Sequence, residues 1–257
     1  MTIRRVPVPF STRAPTGETA AYVVGDSDAL VVDPAAWTDD LAATARDADA
    51  SHVAVTHNHP DHVGGVADAA AALGLTVWAR AARAPAFEAS TDVAPDRTFR
   101  SGETLPAGSG IGILDTPGHA PEHVSFSTPD GLVCGDLAVA EGSVVVGAPE
   151  GDMRAYLSSL RRVHARNPAR LYPGHGPVID EPRVACRRLL DHRLDRERKV
   201  AAAVRDGAST PDQILDMAYD KDISDVHDLA RATVVAHLEK LAVEGRVRWD
   251  GTAARPP

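Results

Sequence analysis

Three histidines and a carboxylate fall within six residues in Thr56-His57-Asn58-His59-Pro60-Asp61-His62, directly after an apolar run. Side chains two apart in an extended chain point the same way. His57 and His59 can therefore face one ion together, while Asp61 and His62 turn toward a neighbouring position. Neutral imidazole and carboxylate are the ligands that Zn²⁺ and similar borderline metals prefer. Two more histidines follow strand-like runs, in Thr116-Pro117-Gly118-His119 and in Tyr172-Pro173-Gly174-His175. Both are Pro-Gly-His, a turn that projects the next side chain from a sheet edge. A lone histidine in such a place is usually structural; beside the first cluster, His119 and His175 read as further ligands. Gly135-Asp136 closes another apolar run. A carboxylate has two oxygens, so Asp136 can bridge two metals about 3.5–4 Å apart.

Two residues stand one step outside that set. Asp33 ends the run Leu30-Val31-Val32. Metal-bound histidines usually pass their other ring N–H to a carboxylate, which suits Asp33, although a turn or helix-cap role would place an Asp there too. His123 lies four residues past His119, where it could touch substrate or a ligand. The remaining histidines, His52, His164, His227 and His237, receive no metal role.

The elements that must carry these residues are short. Strands are predicted over 20–24, 29–33, 52–56, 76–79, 111–116, 123–128, 132–134 and 170–172, each β-branched and bounded by Gly, Pro or Asp. Helices are predicted over 38–48, 63–73, 153–166 and 183–206; the third has Met153, Tyr156, Leu157, Leu160 and Val163 on one side. Strands interleaved with helices imply a layered α/β domain. After about residue 195 the pattern becomes helical, with 209–219 opening on Ser-Thr-Pro and 225–244 stopped by Gly245. A strand over 246–249 then meets Asp250-Gly251, a hairpin signal, and the tail 252–257 is expected to fray. Helices followed by a β-ribbon give a winged-helix order. The expected division is 1–194 and 195–257.

Composition excludes several classes. Hydrophobic residues make up 44%, enough for a sizeable core. No apolar run approaches a membrane span, and the N-terminal stretch lacks a leader's apolar centre. The two cysteines, Cys134 and Cys186, form no metal or disulfide pattern, so a reducing cytoplasm is expected. Net charge is −9, which disfavours general nucleic-acid binding. Asp supplies 26 of the 36 acidic residues and Lys only three of the 27 basic ones, a balance that fits either GC-rich coding or a salty cytoplasm.

At these residues the chain resembles the metallo-β-lactamase superfamily, whose motifs are H-x-H-x-D-H, a later His, an Asp and a final His, in that order. The resemblance covers residues 1 to about 180 and implies a four-layer αββα sandwich. By the family pattern His57, His59 and His119 hold one metal, Asp61, His62 and His175 the other, and Asp136 bridges. Asp61 is also placed to orient the attacking hydroxide. Further on, Pro173-Gly174-His175-Gly176-Pro177 and the H-R-x-x-R-E run His192–Glu197 resemble the lactamase-β-like endoribonuclease branch and its microbial relatives. That makes His192 and Arg196 candidates to contact substrate or the metal ligands; the plain alternative is a solvated helix with an Arg193–Glu197 pair.

The expected activity is metal-dependent hydrolysis, with hydroxide activated by two divalent ions, Zn²⁺ first and Mn²⁺ or Fe²⁺ as alternatives. A small ester, thioester or lactam is the first substrate class, as in glyoxalase II-like enzymes. Single-stranded RNA is the second. For it, Arg183, Arg187, Arg188, Arg193, Arg196, Arg198 and Lys199 could track phosphates; against it, aromatics are only 4%. A third reading is a winged-helix binding protein with the metal domain as scaffold. Duplex DNA and membrane partners are not expected, since 225–244 carries only Arg231 and Lys240 as basic residues. Oligomeric state is not legible.

Overall fold

The computed structural model describes residues 1–11, 16–219 and 224–257. Part of the N-terminal stretch discussed above, residues 12–15, lies outside them. Two sheets carry the first two-thirds of the chain. One has the order β1 (Ile3–Pro9), β2 (Glu18–Val24), β3 (Leu30–Val32), β4 (His52–Ala54), β5 (Thr76–Arg80), β6 (Arg97–Phe99). Its first three strands are antiparallel neighbours, and β3 to β6 run parallel. The other sheet is formed by β7 (Thr104–Leu105), β8 (Ile111–Asp115), β9 (Val124–Thr128), β10 (Gly131–Gly135) and β11 (Leu171–Pro173), in order β11-β10-β9-β8-β7. Only β10 and β11 are parallel there.

Alternation along the strands builds the layers. Ala20, Tyr22 and Val24 of β2 face Ile111, Ile113, Phe126 and Val133, a core between the sheets. Ala21 and Val23 face the other way, toward Leu41 and Ala45 of α1 (Asp39–Asp47), Val66 and Ala69 of α3 (Val66–Leu73) and Phe87 of α4 (Ala84–Thr91). On the far side Leu132 and Cys134 pack on Leu157 and Leu160 of α5 (Met153–Arg166) and on Cys186 and Leu189 of α6 (Pro182–Arg205). The result is the expected four-layer αββα sandwich. Cys134 and Cys186 are free, buried thiols.

The expected helix over 63–73 is two pieces, α2 (Pro60–Val63) and α3, with Gly64 and Gly65 between them. A Cβ at Gly64 would lie 2.5 Å from Ala35 O, and one at Gly65 2.6 Å from Ala36 C. The glycine pair lets the chain after β3 press against the His-rich turn. Strands β1, β6 and β7 and helix α4 were not anticipated. Pro7 and Pro9 lack an N–H to donate, but β1 is an edge strand, where missing N–H groups cost little. α4 buries only Phe87 and Thr91, too few positions to show a period.

The C-terminal part is α7 (Pro211–Ala218), α8 (His227–Val243) and the ribbon β12 (Arg248–Trp249) with β13 (Ala254–Arg255). A capping box between Thr210 and Gln213 starts α7. The tail does not fray as expected. Ala254 is buried, and its N–H donates to Ser209 O at 2.7 Å. The 24-residue α6 runs unbroken through the expected boundary at 194/195. Its first half buries Ala185 and Cys186 in the sandwich, and its second half buries Val200, Ala201 and Val204 against Ile214, Val234 and Leu238.

Candidate metal centre

The residues singled out as ligands gather where strands of both sheets end, with Asp61 and His62 on the short helix α2 just after His59. His57 follows β4, His119 follows β8, Asp136 follows β10 and His175 follows β11, each within a few residues of the strand's C-terminal end. Glycines give the turns room. A Cβ at Gly118 (φ +136°) would lie 2.3 Å from the Tyr156 backbone. One at Gly174 would lie 2.6 Å from both Asp136 Oδ1 and His62 Cε1, inside the cluster itself. The two sheets are tied here: Ala20 N–H donates to Gly174 O at 2.8 Å and Tyr22 O–H to Pro173 O at 2.6 Å.

The ring tautomers follow from the outer partners. Asp33 is fully buried, and its Oδ1 accepts from Thr56 N–H at 2.6 Å. Its Oδ2 lies 2.7 Å from Thr56 Oγ1 and 3.0 Å from His62 Nδ1. The single Thr56 hydroxyl proton goes to that carboxylate, so His57 Nδ1, 3.0 Å from the same Oγ1, must be the donor in its own contact. His62 Nδ1 likewise donates to Asp33. His119 Nδ1 donates to Val145 O at 2.7 Å and His175 Nδ1 to Glu18 O at 3.0 Å. His59 is turned over, with Nε2 donating to Glu150 Oε2 at 3.2 Å. In every ring the outer nitrogen has an acceptor, which leaves the inner nitrogen to offer a lone pair.

Those inner nitrogens crowd together. His59 Nδ1 lies 3.0 Å from His57 Nε2 and 2.9 Å from His119 Nε2. Lone pairs at that spacing repel unless a cation or proton sits among them. Asp136 lies between this trio and a second one: its Oδ2 is 3.6 Å from both His119 Nε2 and His175 Nε2. Its Oδ1 faces His62 Nε2 at 3.6 Å, and neither of these buried atoms has a hydrogen-bond partner among the described residues. Asp61 Oδ2, half-buried, is 3.5 Å from His175 Nε2. Three groups could each hold an ion: His57, His59 and His119; His57, His62 and Asp136; Asp61, His62 and His175. The donor set and the orphaned pair fit divalent cations.

Charge follows the same logic. Burial pushes the His57 pKa well down, helped by His62, His119 and His59. Burial also depresses His119, against the pull of Asp136. For His62 burial is overcome by the carboxylates of Asp33 and Asp136, which hold it up at about 9. His175 is raised despite its burial, by Asp61 and Asp136. Asp136 is lowered despite its burial, by His62, His119 and His175. The carboxylates that favour a proton on His62 would equally favour a metal cation in its place.

The other expected residues divide. Asp33 touches the cluster through His62 and Thr56. His123 is fully buried and has both nitrogens engaged: Nε2 accepts from Asp136 N–H at 3.1 Å and Nδ1 contacts Thr116 Oγ1 at 2.9 Å. It supports the Asp136 turn from within the core. Burial, then His119, push it down to about 3, so it stays neutral. His192 is exposed on α6. Arg196 donates to Ala218 O and stacks 3.4 Å over the Tyr219 ring, at the α6–α7 junction. The Arg193–Glu197 pair of the plain alternative does not form. Glu197 is buried against Lys240 at 2.7 Å and Arg246 at 2.6 Å, while Arg193 reaches Val144 O and the Tyr156 ring. Sequence reasoning missed Thr56, Glu150 and the carbonyls of Val145 and Glu18. Thr56 adjoins the motif and was within reach; backbone acceptors leave no mark in a sequence.

Comparison with known proteins gives a consistent picture. Residues 14–175 match the metallo-beta-lactamase superfamily and residues 210–255 the beta-lactamase associated winged helix domain. The lactamase-like protein aptB of Emericella nidulans is 30% identical over 262 residues, covering 92% of this chain and 80% of that protein. An atrochrysone carboxyl ACP thioesterase of Aspergillus chevalieri is 29% identical over 197 residues, 73% of this chain and 61% of the relative. Among solved structures, the metallo-beta-lactamase family protein TTHA1429 of Thermus thermophilus superposes with a TM-score of 0.76 at 24% identity, covering 99% of this chain and 98% of that one. TTHA1623, solved in a di-iron-bound form, gives 0.56 at 28% identity over 68% of this chain and 94% of its own.

Proposed function

The chain belongs to the metallo-β-lactamase superfamily, and we propose that within it this protein is a two-metal hydrolase of small acyl thioesters, including thioesters of a carrier. The observation that carries the metal reading is Asp136, whose two oxygens face His119, His175 and His62 at 3.6 Å between two histidine groups. In this reading His57, His59 and His119 hold one divalent ion, Asp61, His62 and His175 the other, and Asp136 contacts both. Zn²⁺ suits imidazole and carboxylate donors; Fe²⁺ and Mn²⁺ are accepted by the same set. Ions bound there would lower the pKa of a bound water toward neutrality and polarise the acyl carbonyl.

The chain's own residues do the rest. Asp61 accepts a hydrogen bond from the attacking water and orients it. Asp33, through His62 and through Thr56 to His57, fixes two rings in the tautomers that aim Nε2 inward. His123 keeps the Asp136 turn in place from below. A serine or cysteine nucleophile is not required, and both cysteines are buried with their thiols pushed well up by burial, Cys186 to about 11. The thioester class is favoured over other acyl compounds by the thioesterase name of the relative above.

Three of the seven basic residues named for the RNA reading have partners inside the fold. Arg188 donates to the carbonyls of Val139, Ala140 and Gly142, Arg193 is buried, and Arg196 lies on Tyr219. These arginines are engaged in packing α6. A substrate panel tests the proposal: acyl-CoA and acyl-pantetheine thioesters, a chromogenic lactam and single-stranded RNA, each with and without chelator. Chelator-sensitive thiol release, well above the other two activities, is expected. RNA cleavage without thioesterase activity would overturn the substrate assignment.

A further inference from the structure

Residues 139–151 connect the Asp136 turn to α5 and contain no helix or strand. This strap supplies the outer partners of two ligand histidines: Val145 O accepts from His119 Nδ1 and Glu150 from His59 Nε2. Both histidines belong to the same group of three. With so little regular structure, the strap must be held from outside. The holding groups come from behind it, on α6 and α8. Arg193 is buried, its Nη2 donates to Val144 O, and its guanidinium packs 5.8 Å from the Tyr156 ring centroid. Arg188 binds three strap carbonyls, those of Val139, Ala140 and Gly142. From α8, Ala232 O accepts from Ala148 N–H at 3.1 Å, and a Cβ on Gly147 would lie 2.8 Å from the Ala232 Cβ.

We propose that Arg193 is a positioning residue for one metal site: by holding Val144 it places the Val145 carbonyl that orients His119, and with α8 it couples the C-terminal domain to the His57–His59–His119 group. The chain of contacts is short. Arg193 grips Val144, the next residue turns its carbonyl to His119, and Glu150 at the end of the same strap holds His59. The arrangement also gives the H-R-x-x-R-E run a use other than substrate contact. Arg193 and Glu197 sit on the buried face of α6, one turned to the strap and the other to Lys240 of α8.

The proposal rests on the metal assignment above, and the two fail separately. Ion binding by the wild type, measured by competition with a chromophoric chelator, tests the assignment. The strap is tested by Arg193→Met and Arg193→Lys, with Arg198→Ala on the exposed face of α6 as the control. Outer-partner changes typically cost about 10–100-fold in metal affinity. Arg193→Met should weaken one of the two binding steps by about tenfold and leave the other within about twofold. Arg193→Lys, which keeps a charged donor, should recover part of that loss. In chelator-treated protein, proteolytic cleavage within 139–151 should be faster in Arg193→Met than in the wild type. Equal weakening of both steps would overturn the proposal, because it would mark a general loss of structure. Faster cleavage with unchanged metal affinity would also overturn it. If Arg193→Met does not fold, the Arg193→Lys measurement decides by the same criterion.

Discussion

Asp136 and His119 make different demands on the same cluster. Asp136 faces both halves, while His119 joins only the His57 and His59 group. Asp136→Ala should therefore weaken retention of both ions, and His119→Ala mainly one; loss of the same single ion from both variants, by metal analysis after dialysis, would refute the bridge. Gly174→Ala offers a second check. Its new Cβ would press on Asp136 Oδ1 and His62, so the variant should fold with an unchanged circular dichroism spectrum yet lose most of its bound metal. Asp33→Ala leaves the buried Thr56 and His62 donors without their acceptor and should cost about 3 kcal/mol or more in urea unfolding. The cluster was legible in the sequence because its residues fall in four short motifs, each just after a strand. Of their outer partners, Asp33 was legible at the end of its own apolar run; the others were not, since Glu150 is 91 residues from His59, and Val145 and Glu18 act through backbone carbonyls.

At the scale of elements, the strands that end at the site were readable from β-branched runs between turn residues. The elements missed are those whose local signal is weak: an edge strand with two prolines, a three-residue strand, a two-residue strand and a helix burying two side chains. Helix α6 was found within one residue at each end, but the use of its arginines was not. A basic stripe looks the same in a sequence whether it meets phosphates or loop carbonyls. His237 on α8 gives this junction a pH dependence. It is fully buried near Glu197, and burial, then the charges of Arg193, Lys240, Arg196 and His192, push it down to about 3. The unfolded chain takes up that proton near pH 6.5 and the folded chain does not. The stabilisation is thus complete above about pH 6.5 and is lost at about 1.4 kcal/mol per pH unit as pH falls toward 3. Between pH 7 and 5 the wild type should lose about 2 kcal/mol more than His237→Leu; parallel losses in urea unfolding would show that His237 is not the group responsible.

The molecule as a whole is a four-layer sandwich joined to a winged-helix unit by one continuous helix. The small unit has the order of a nucleic-acid binder without the charge. On α8, Arg231 pairs with Asp212 at 3.0 Å and Lys240 is buried against Glu197 and Glu244. Duplex DNA, which requires a row of phosphate contacts, should show no salt-dependent binding in fluorescence anisotropy, and binding lost on raising salt would contradict this. Deleting residues 208–257 should expose Val200 and Val204, raise binding of a hydrophobic dye and change the ratio of activities on short and long acyl thioesters, while every ligand residue stays in the chain. The central claim, two ions shared through Asp136, is tested most directly by anomalous diffraction from crystals grown without chelator. The account predicts two peaks, one among His57 Nε2, His59 Nδ1 and His119 Nε2 and one among Asp61, His62 and His175, with the Asp136 carboxylate between them. A single peak at full occupancy, or two peaks of which only one contacts Asp136, would contradict it.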